Sequence, residues 1–363
     1  MDKENRNMDG TKMLWHMDRV IKHYDKGERV APIHIDWGIA KFCNVDCVFC
    51  FGAFQNPSKE YIQREALLRS VKQAAEIGVK SVAFIGDGEP TCNPNFYEAL
   101  RTGKDSGLSM ACSTNGVLLD TPEKRADVLY STEWMRFCIA AGDREGYKKI
   151  HRVDRFDRVR SNIENIVKER DAGYKTDIGM QSVYVPGLMD EDMIKESKLA
   201  VELGVDYFVI KQCSLPDKNQ KVGDISFDVN AYDKSVDVLK ECQSYSTDRT
   251  KIIPKWATIM RKGAREYQHC PAVPLISEIS GNGDWFPCGY FFGNKPEYWQ
   301  YKFGNLHEKG LKEIFESDRY WKIAEHFKKE FDSHKECVGS CRLDSCNKFV
   351  DTYLNKPRGI NFI

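Results

Sequence analysis

From Val30 to about Val209, short apolar runs alternate with longer amphipathic stretches. Pro32-Ile33-His34-Ile35-Asp36-Trp37 reads as a strand, and Ser81-Val82-Ala83-Phe84-Ile85 as a compact apolar one. Between them, Gln63 to Ile77 carries apolar residues at helical spacing, with Gly78 placed as a C-cap. The alternation continues with a helix over Phe96 to Thr102 and a strand over Leu108 to Ser113. A strand over Trp134 to Ala140 and its helix over Phe156 to Ala172 come next. Ile178 to Val185 and Tyr207 to Lys211 complete the series, separated by a helix over Glu191 to Leu203. Six such strand-helix units predict a parallel α/β sheet with helical crossovers. In parallel α/β folds, chemistry sits at the C-terminal ends of the strands.

Outside that series the pattern changes. Residues 1–28 are polar and predict a short helical lead-in, and Pro216 to Gln220 a polar loop. Ala231 to Gln243 reads as a helix, with a domain boundary between Ser244 and Lys255. Leu275 to Phe286 reads as a hairpin turning at Gly281-Asn282-Gly283-Asp284. The expected division is a lead-in over 1–28, a barrel over 29–247, a small cysteine-rich domain over 248–349 and a tail over 350–363.

Charge narrows the partners. The 54 basic residues balance 54 acidic ones, so no positive excess points to nucleic acid or an anionic membrane. No apolar run is long enough to span a bilayer. The N-terminal Met1-Asp2-Lys3-Glu4-Asn5-Arg6 lacks the apolar core of a secretory signal, so a cytoplasmic location is expected. In a reducing cytosol, thirteen cysteines do not form a disulfide framework. They gather at Cys43 to Cys50 and at Cys270 to Cys346, which points to metal twice.

The first group is Cys43, Cys47 and Cys50, spaced C-x3-C-x2-C. One loop of this spacing can wrap a cubane and offer it three thiolates. A four-iron cluster normally takes four, so one iron is left open to a small molecule. The spacing differs from ferredoxin runs and from paired C-x2-C zinc sites; a purely structural zinc or iron-sulfur loop is the bland alternative. Phe49 precedes the last cysteine, and Gly86-Asp87-Gly88-Glu89-Pro90 and Ser113-Thr114-Asn115-Gly116 follow at the ends of the second and third strands. Together these segments resemble the radical S-adenosylmethionine (radical SAM) enzymes.

That resemblance implies a partial (β/α)6 TIM-like barrel with a [4Fe-4S] cluster on Cys43, Cys47 and Cys50. In the family, S-adenosyl-L-methionine chelates the open iron and is reductively cleaved to a 5'-deoxyadenosyl radical. The resemblance places Phe49 against the adenine, Gly86, Gly88 and Glu89 about the SAM amino group, and Ser113 and Asn115 about its other polar groups. It also implies a flavodoxin or ferredoxin-type electron donor. The fourth strand departs from the family, because Cys138 and Ala140 stand where many relatives place serine and aspartate. The ribose contacts then fall to Asp143, Arg144 or Gln181. His151 is either a lone ligand or a packing or substrate-contacting residue.

The second group, Cys270, Cys288, Cys337, Cys341 and Cys346, with Gly283 giving G-x4-C, resembles the SPASM auxiliary-cluster domain in its short "twitch" form. One auxiliary [4Fe-4S] cluster is expected on Cys270, Cys288, Cys337 and Cys341, with Cys346 the alternative to Cys337 or Cys341. Fully ligated, it has no open iron and suits an electron relay. Zinc on the same thiols is the competing reading.

The expected chemistry is oxidation of a small polar substrate: a sugar, an aminocyclitol or a nucleotide-like, carbohydrate-derived molecule. Small-molecule members of the 2-deoxy-scyllo-inosamine dehydrogenase type have similar cysteine spacing. An epimerase would need a thiol hydrogen donor, for which Cys213 is placed just past the sixth strand; its other reading is a buried small hydrophobe. Lys211 reads as a general base or as a holder of an anionic substrate group. Peptide modification of the sulfatase-maturase or thioether-forming type is a further alternative. A non-catalytic iron-sulfur scaffold has no use for the GDGEP and STNG segments.

Overall fold

The computed structural model describes residues 10–55, 57–214, 225, 229–293, 295–337, 341–356 and 358–361; the expected loop Pro216 to Gln220 lies outside them, as does the start of the lead-in. Six parallel strands form the barrel wall: β1 (His34–Trp37), β2 (Ser81–Phe84), β3 (Ser109–Thr114), β4 (Thr132–Phe137), β5 (Asp177–Tyr184) and β6 (Tyr207–Gln212). Successive strands pair in sequence order, each joined to the next by a helical crossover. The helix Arg64–Ile77 buries Leu67, Val71 and Ala74 against this sheet. It stops at Gly78, whose φ of 98° is the left-handed conformation a C-cap needs, and whose N–H donates to Ala75.

Two departures from the sequence pattern have local causes. Strand β4 ends at Phe137 rather than Ala140, because Ala140 adopts φ 45° and cannot extend the strand. The helix Pro122–Ser131 was not anticipated, although Thr121 caps it through the Lys124 N–H and Pro122 opens it.

A third departure is long-range. Strand β7 (Lys251–Pro254) pairs parallel to β6, and β8 (Ile276–Ile279) pairs parallel to β1. The expected hairpin is present as β8 and β9 (Asp284–Phe286), and β10 (Gly304–Asn305) adds antiparallel to β9. One sheet of ten strands results, in the order β10-β9-β8-β1-β2-β3-β4-β5-β6-β7. The C-terminal cysteine region is therefore hydrogen-bonded onto the first barrel strand. A continuous apolar core runs from Trp37, Phe84 and Phe137 to Trp285, Phe291 and Phe327. A smaller cluster packs the lead-in residues Met13 and Val20 on Leu275 and Val350. Among the described residues no helix is long and apolar enough to cross a membrane.

Candidate active site

The loop that follows β1 carries Cys43, Cys47 and Cys50 and is held from two sides. The Asp46 and Val48 N–H groups donate to the His151 and Ile150 carbonyls at 3.1 and 2.9 Å. Asn115 Nδ2 donates to Asn44 Oδ1 at 2.6 Å and lies 3.6 Å from Cys43 Sγ. His151 is buried, with Nε2 against the Ile139 carbonyl and Nδ1 2.9 Å from Cys47 Sγ. Since that carbonyl can only accept, Nε2 carries the proton and anchors the ring to the Ile139 carbonyl beside the cysteine loop. His151 thus braces the cysteine loop. Phe49 meets its ring edge-on at 6.2 Å.

The GDGEP segment packs against the stretch before the cysteines. A side chain at Gly88 would collide with the Ala40 and Phe42 carbonyls, and one at Gly86 with Gly38 Cα. Both glycines are therefore needed for contact between the two loops themselves. Glu89 is buried and accepts from Thr91 N, Thr91 Oγ1, Thr114 Oγ1 and Asn115 N at 2.6–3.1 Å. Burial nonetheless holds its carboxyl above the ordinary value. Glu89 ties the ends of β2 and β3 together, and Asn115 closes an Asx turn on the Val117 N–H. Ser113 Oγ, Cys138 Sγ and Gln181 Nε2 form a row across β3, β4 and β5, with contacts of 3.2 and 3.8 Å. Asp143 and Arg144, the other ribose candidates, are engaged elsewhere: Asp143 caps a helix and pairs with Lys195, and Arg144 pairs with Asp154.

Two ties connect this region to the C-terminal cysteines. Lys41 Nζ donates to the Gln55 carbonyl at 2.6 Å, and Gln55 Nε2 donates to the Gly289 carbonyl at 2.8 Å. Across the β1–β8 pairing, Asp36 stands opposite Glu278. Asp36 is buried; Arg342 and His34 hold it well below the carboxylate range against the effect of burial. Burial and the neighbouring Asp36 hold Glu278 above that range.

All of this encloses one cavity of ≈ 410 Å³, bordered by Cys43, Cys47, Cys50, Cys288, Cys337 and Cys341 together. Phe49, Gly86, Gly88, Glu89, Ser113, Asn115, Gln181 and Lys211 also border it. Cys270 stands just behind, buried, where burial and then the Cys341 and Cys337 thiols raise its proton affinity. Cys288 is raised likewise by burial, with Cys337 and Cys341 among its neighbours. Arg265 Nη2 donates to Cys337 Sγ at 3.1 Å. Cys346 faces away, packed with the lead-in cluster. Cys213 is buried outside the cavity wall, its thiol 3.9 Å from the Ser214 carbonyl.

The donor chemistry fits iron-sulfur clusters. Among the described residues no three His, Cys, Asp or Glu side chains converge closely enough for a single ion. A lone zinc needs each sulfur about 2.3 Å from one point; these thiols border a shared volume instead.

The family comparison follows the same division. The Radical SAM superfamily profile matches residues 37–200, and the SPASM iron-sulfur cluster-binding domain profile matches residues 270–347. The chain carries a radical SAM domain followed by a SPASM domain. This radical SAM protein is 26% identical over 338 residues to the AdoMet-dependent heme synthase of Methanosarcina barkeri, covering 86% of this chain and 88% of that one. It is 25% identical over 319 residues to the tungsten-containing aldehyde ferredoxin oxidoreductase cofactor-modifying protein of Pyrococcus furiosus, covering 78% and 80%. Its fold matches Streptococcus suis SuiB bound to S-adenosylmethionine, with TM-score 0.65 and 18% identity over 88% of this chain and 73% of that one. It also matches anSMEcpe with bound AdoMet, with TM-score 0.59 and 19% identity over 91% and 98%. The radical SAM domain binds a [4Fe-4S] cluster and SAM, and the SPASM domain binds auxiliary iron-sulfur cluster.

The motif residues were visible in the chain, but Asp36, Arg136, Arg265, Glu278 and Arg342 were not singled out. Arg342 adjoins Cys341, and Arg136 shares the inward alternation of β4 with Cys138; those were the available signals.

Proposed function

We propose that this radical SAM protein is an oxidoreductase that removes hydrogen from a small polar substrate held between two cysteine-bound clusters. The observation that carries this reading is the single cavity bordered by thiols of both groups. When bound, the two clusters supply a hydrogen-abstracting 5'-deoxyadenosyl radical from SAM and an acceptor for one electron.

The chain's own residues do the rest. Cys43, Cys47 and Cys50 hold the first cluster with one iron open, and Cys270, Cys288, Cys337 and Cys341 hold the second. The cavity wall of Phe49, Phe51, Tyr290 and Phe292 excludes water from the reacting carbon. Ser113 and Gln181 offer polar contacts. For a carbinol, loss of a hydrogen atom, one electron and the hydroxyl proton leaves a ketone, so electrons and atoms balance. Two features support oxidation over epimerisation: four cysteines stand together at the second group, and the Cys213 thiol lies outside the cavity wall.

The test begins with anaerobic reconstitution. About eight irons per chain are expected for two four-iron clusters. Dithionite and SAM then yield 5'-deoxyadenosine, and deuterium passes into it from the labelled substrate carbon. Intact SAM after reduction, with wild type and Cys47→Ala indistinguishable, overturns the reading.

A further inference from the structure

The charged groups bordering the cavity are unevenly paired. Its carboxylates are all engaged by the chain. Asp36 is taken by Arg342 and His34, and Asp87 by Lys41, Ser280 and the Gly281 N–H. Glu89 accepts four hydrogen bonds, and Glu278 accepts from the Gly289 N–H. Among the described residues, two cations bordering the same cavity have no such partner. Arg136 lies on the inward face of β4 over the Trp134 ring at 4.6 Å, and its buried Nε has no hydrogen-bond partner. Lys211 projects from β6, and among the described residues it makes neither a hydrogen bond nor an ion pair. Burial lowers its proton affinity, and the Arg136 and Arg342 charges act in the same direction.

Both side chains are half-buried in the cavity wall, and a partly desolvated cation without a counter-charge is tolerated where a ligand supplies the charge. The cysteine loop does not account for these two. In the sheet order, β4 and β6 lie three and five strands from β1, which leads into that loop. They flank β5, whose Gln181 borders the cavity between them. A planar guanidinium and a flexible ammonium bordering one cavity with an amide donor between their strands match the oxygens of a carboxylate or phosphate.

We propose that Arg136 and Lys211 form an oxyanion subsite that holds a carboxylate or phosphate group of the substrate. This rests on the substrate reading above and narrows it: a neutral sugar leaves both cations unpaired, and an aminocyclitol adds a third positive charge.

The test uses the reconstituted protein with SAM present and no reductant, so binding is read without turnover. Inorganic phosphate and, separately, succinate are titrated at constant ionic strength by calorimetry. Saturable binding of either is expected, weakened roughly tenfold or more in Arg136→Gln and in Lys211→Met and retained in Lys211→Arg. Phosphate alone or succinate alone identifies which anion the site takes. Iron content and SAM binding of each variant separate a lost subsite from a lost fold. The proposal is overturned by no saturable binding to wild type, by equal affinity in wild type and both charge-removing variants, or by binding that SAM abolishes, which would assign the cations to the SAM carboxylate. SAM cleavage by wild type is a separate readout, so failure of the radical SAM reading and failure of the subsite are distinguishable.

Discussion

The Asp87 carboxylate, in the GDGEP segment after β2, accepts a hydrogen bond from the Ser280 hydroxyl in the β8–β9 turn at 2.6 Å. The Gly281 N–H adds a second bond at 3.0 Å, and the buried Lys41 ammonium stands 3.5 Å away. Asp87 therefore clasps the barrel to the auxiliary-cluster domain. Gly38 leaves room for it, since a side chain there would strike Asp87 Oδ1.

Removing one partner of a buried ion pair leaves the other uncompensated. Asp87→Ala is expected to destabilise the protein by about 3 kcal/mol, and Asp87→Asn by less, because the amide oxygen still accepts from Ser280. Urea unfolding of the reconstituted variants measures this. A loss below about 0.5 kcal/mol for Asp87→Ala would show that the clasp contributes nothing.

The two orientations of the C-terminal cysteines predict different iron contents. Cys346→Ala should retain about eight irons per chain, whereas Cys270→Ala or Cys341→Ala should fall towards roughly four. Iron and sulfide analysis after identical reconstitution decides it. The reverse order would exchange Cys346 for one of the others.

Arg265 donates to Cys337 Sγ and also to the Ser333 and Cys337 carbonyls. A cation and donor at a cluster sulfur favours the reduced, more negative state. Arg265→Leu should lower the auxiliary cluster's potential by on the order of 60 mV, a tenfold change for one electron. An EPR-monitored redox titration reads the shift; an unchanged potential would leave Arg265 as a purely structural residue.

His23 docks the lead-in on the C-terminal half, with its ring 5.7 Å from Trp321 and its Nδ1 donating to the Glu28 carbonyl at 2.9 Å. Burial lowers its proton affinity below the ordinary histidine value of 6.5. Below that value the unfolded chain binds a proton that the folded chain refuses, so stability falls on acidification from pH ~7 to ~5.5. His16 and His151, lowered by burial as well, add to the same loss. His23→Gln should flatten part of the slope, measured as urea midpoints across that range. An unaltered slope would mean that His23 protonates freely in the fold.

Much of the barrel was legible because its signals are local. The apolar run of Ser81 to Phe84, the helical spacing from Arg64 to Ile77 and the left-handed Gly78 each involve residues near in sequence. Cys43, Cys47 and Cys50 likewise share one loop, so their spacing alone brought three thiols to one cavity. The tertiary structure decided what no local pattern encodes. It set β8 parallel to β1 some 240 residues away, turned Cys341 to the cavity and Cys346 to the lead-in, and carried Asp87 across to Ser280. Among the described residues it also left Arg136 and Lys211 without counter-charges. Parallel pairing and burial of charge depend on which distant segments meet, and that is settled by packing the whole core rather than by neighbours along the chain.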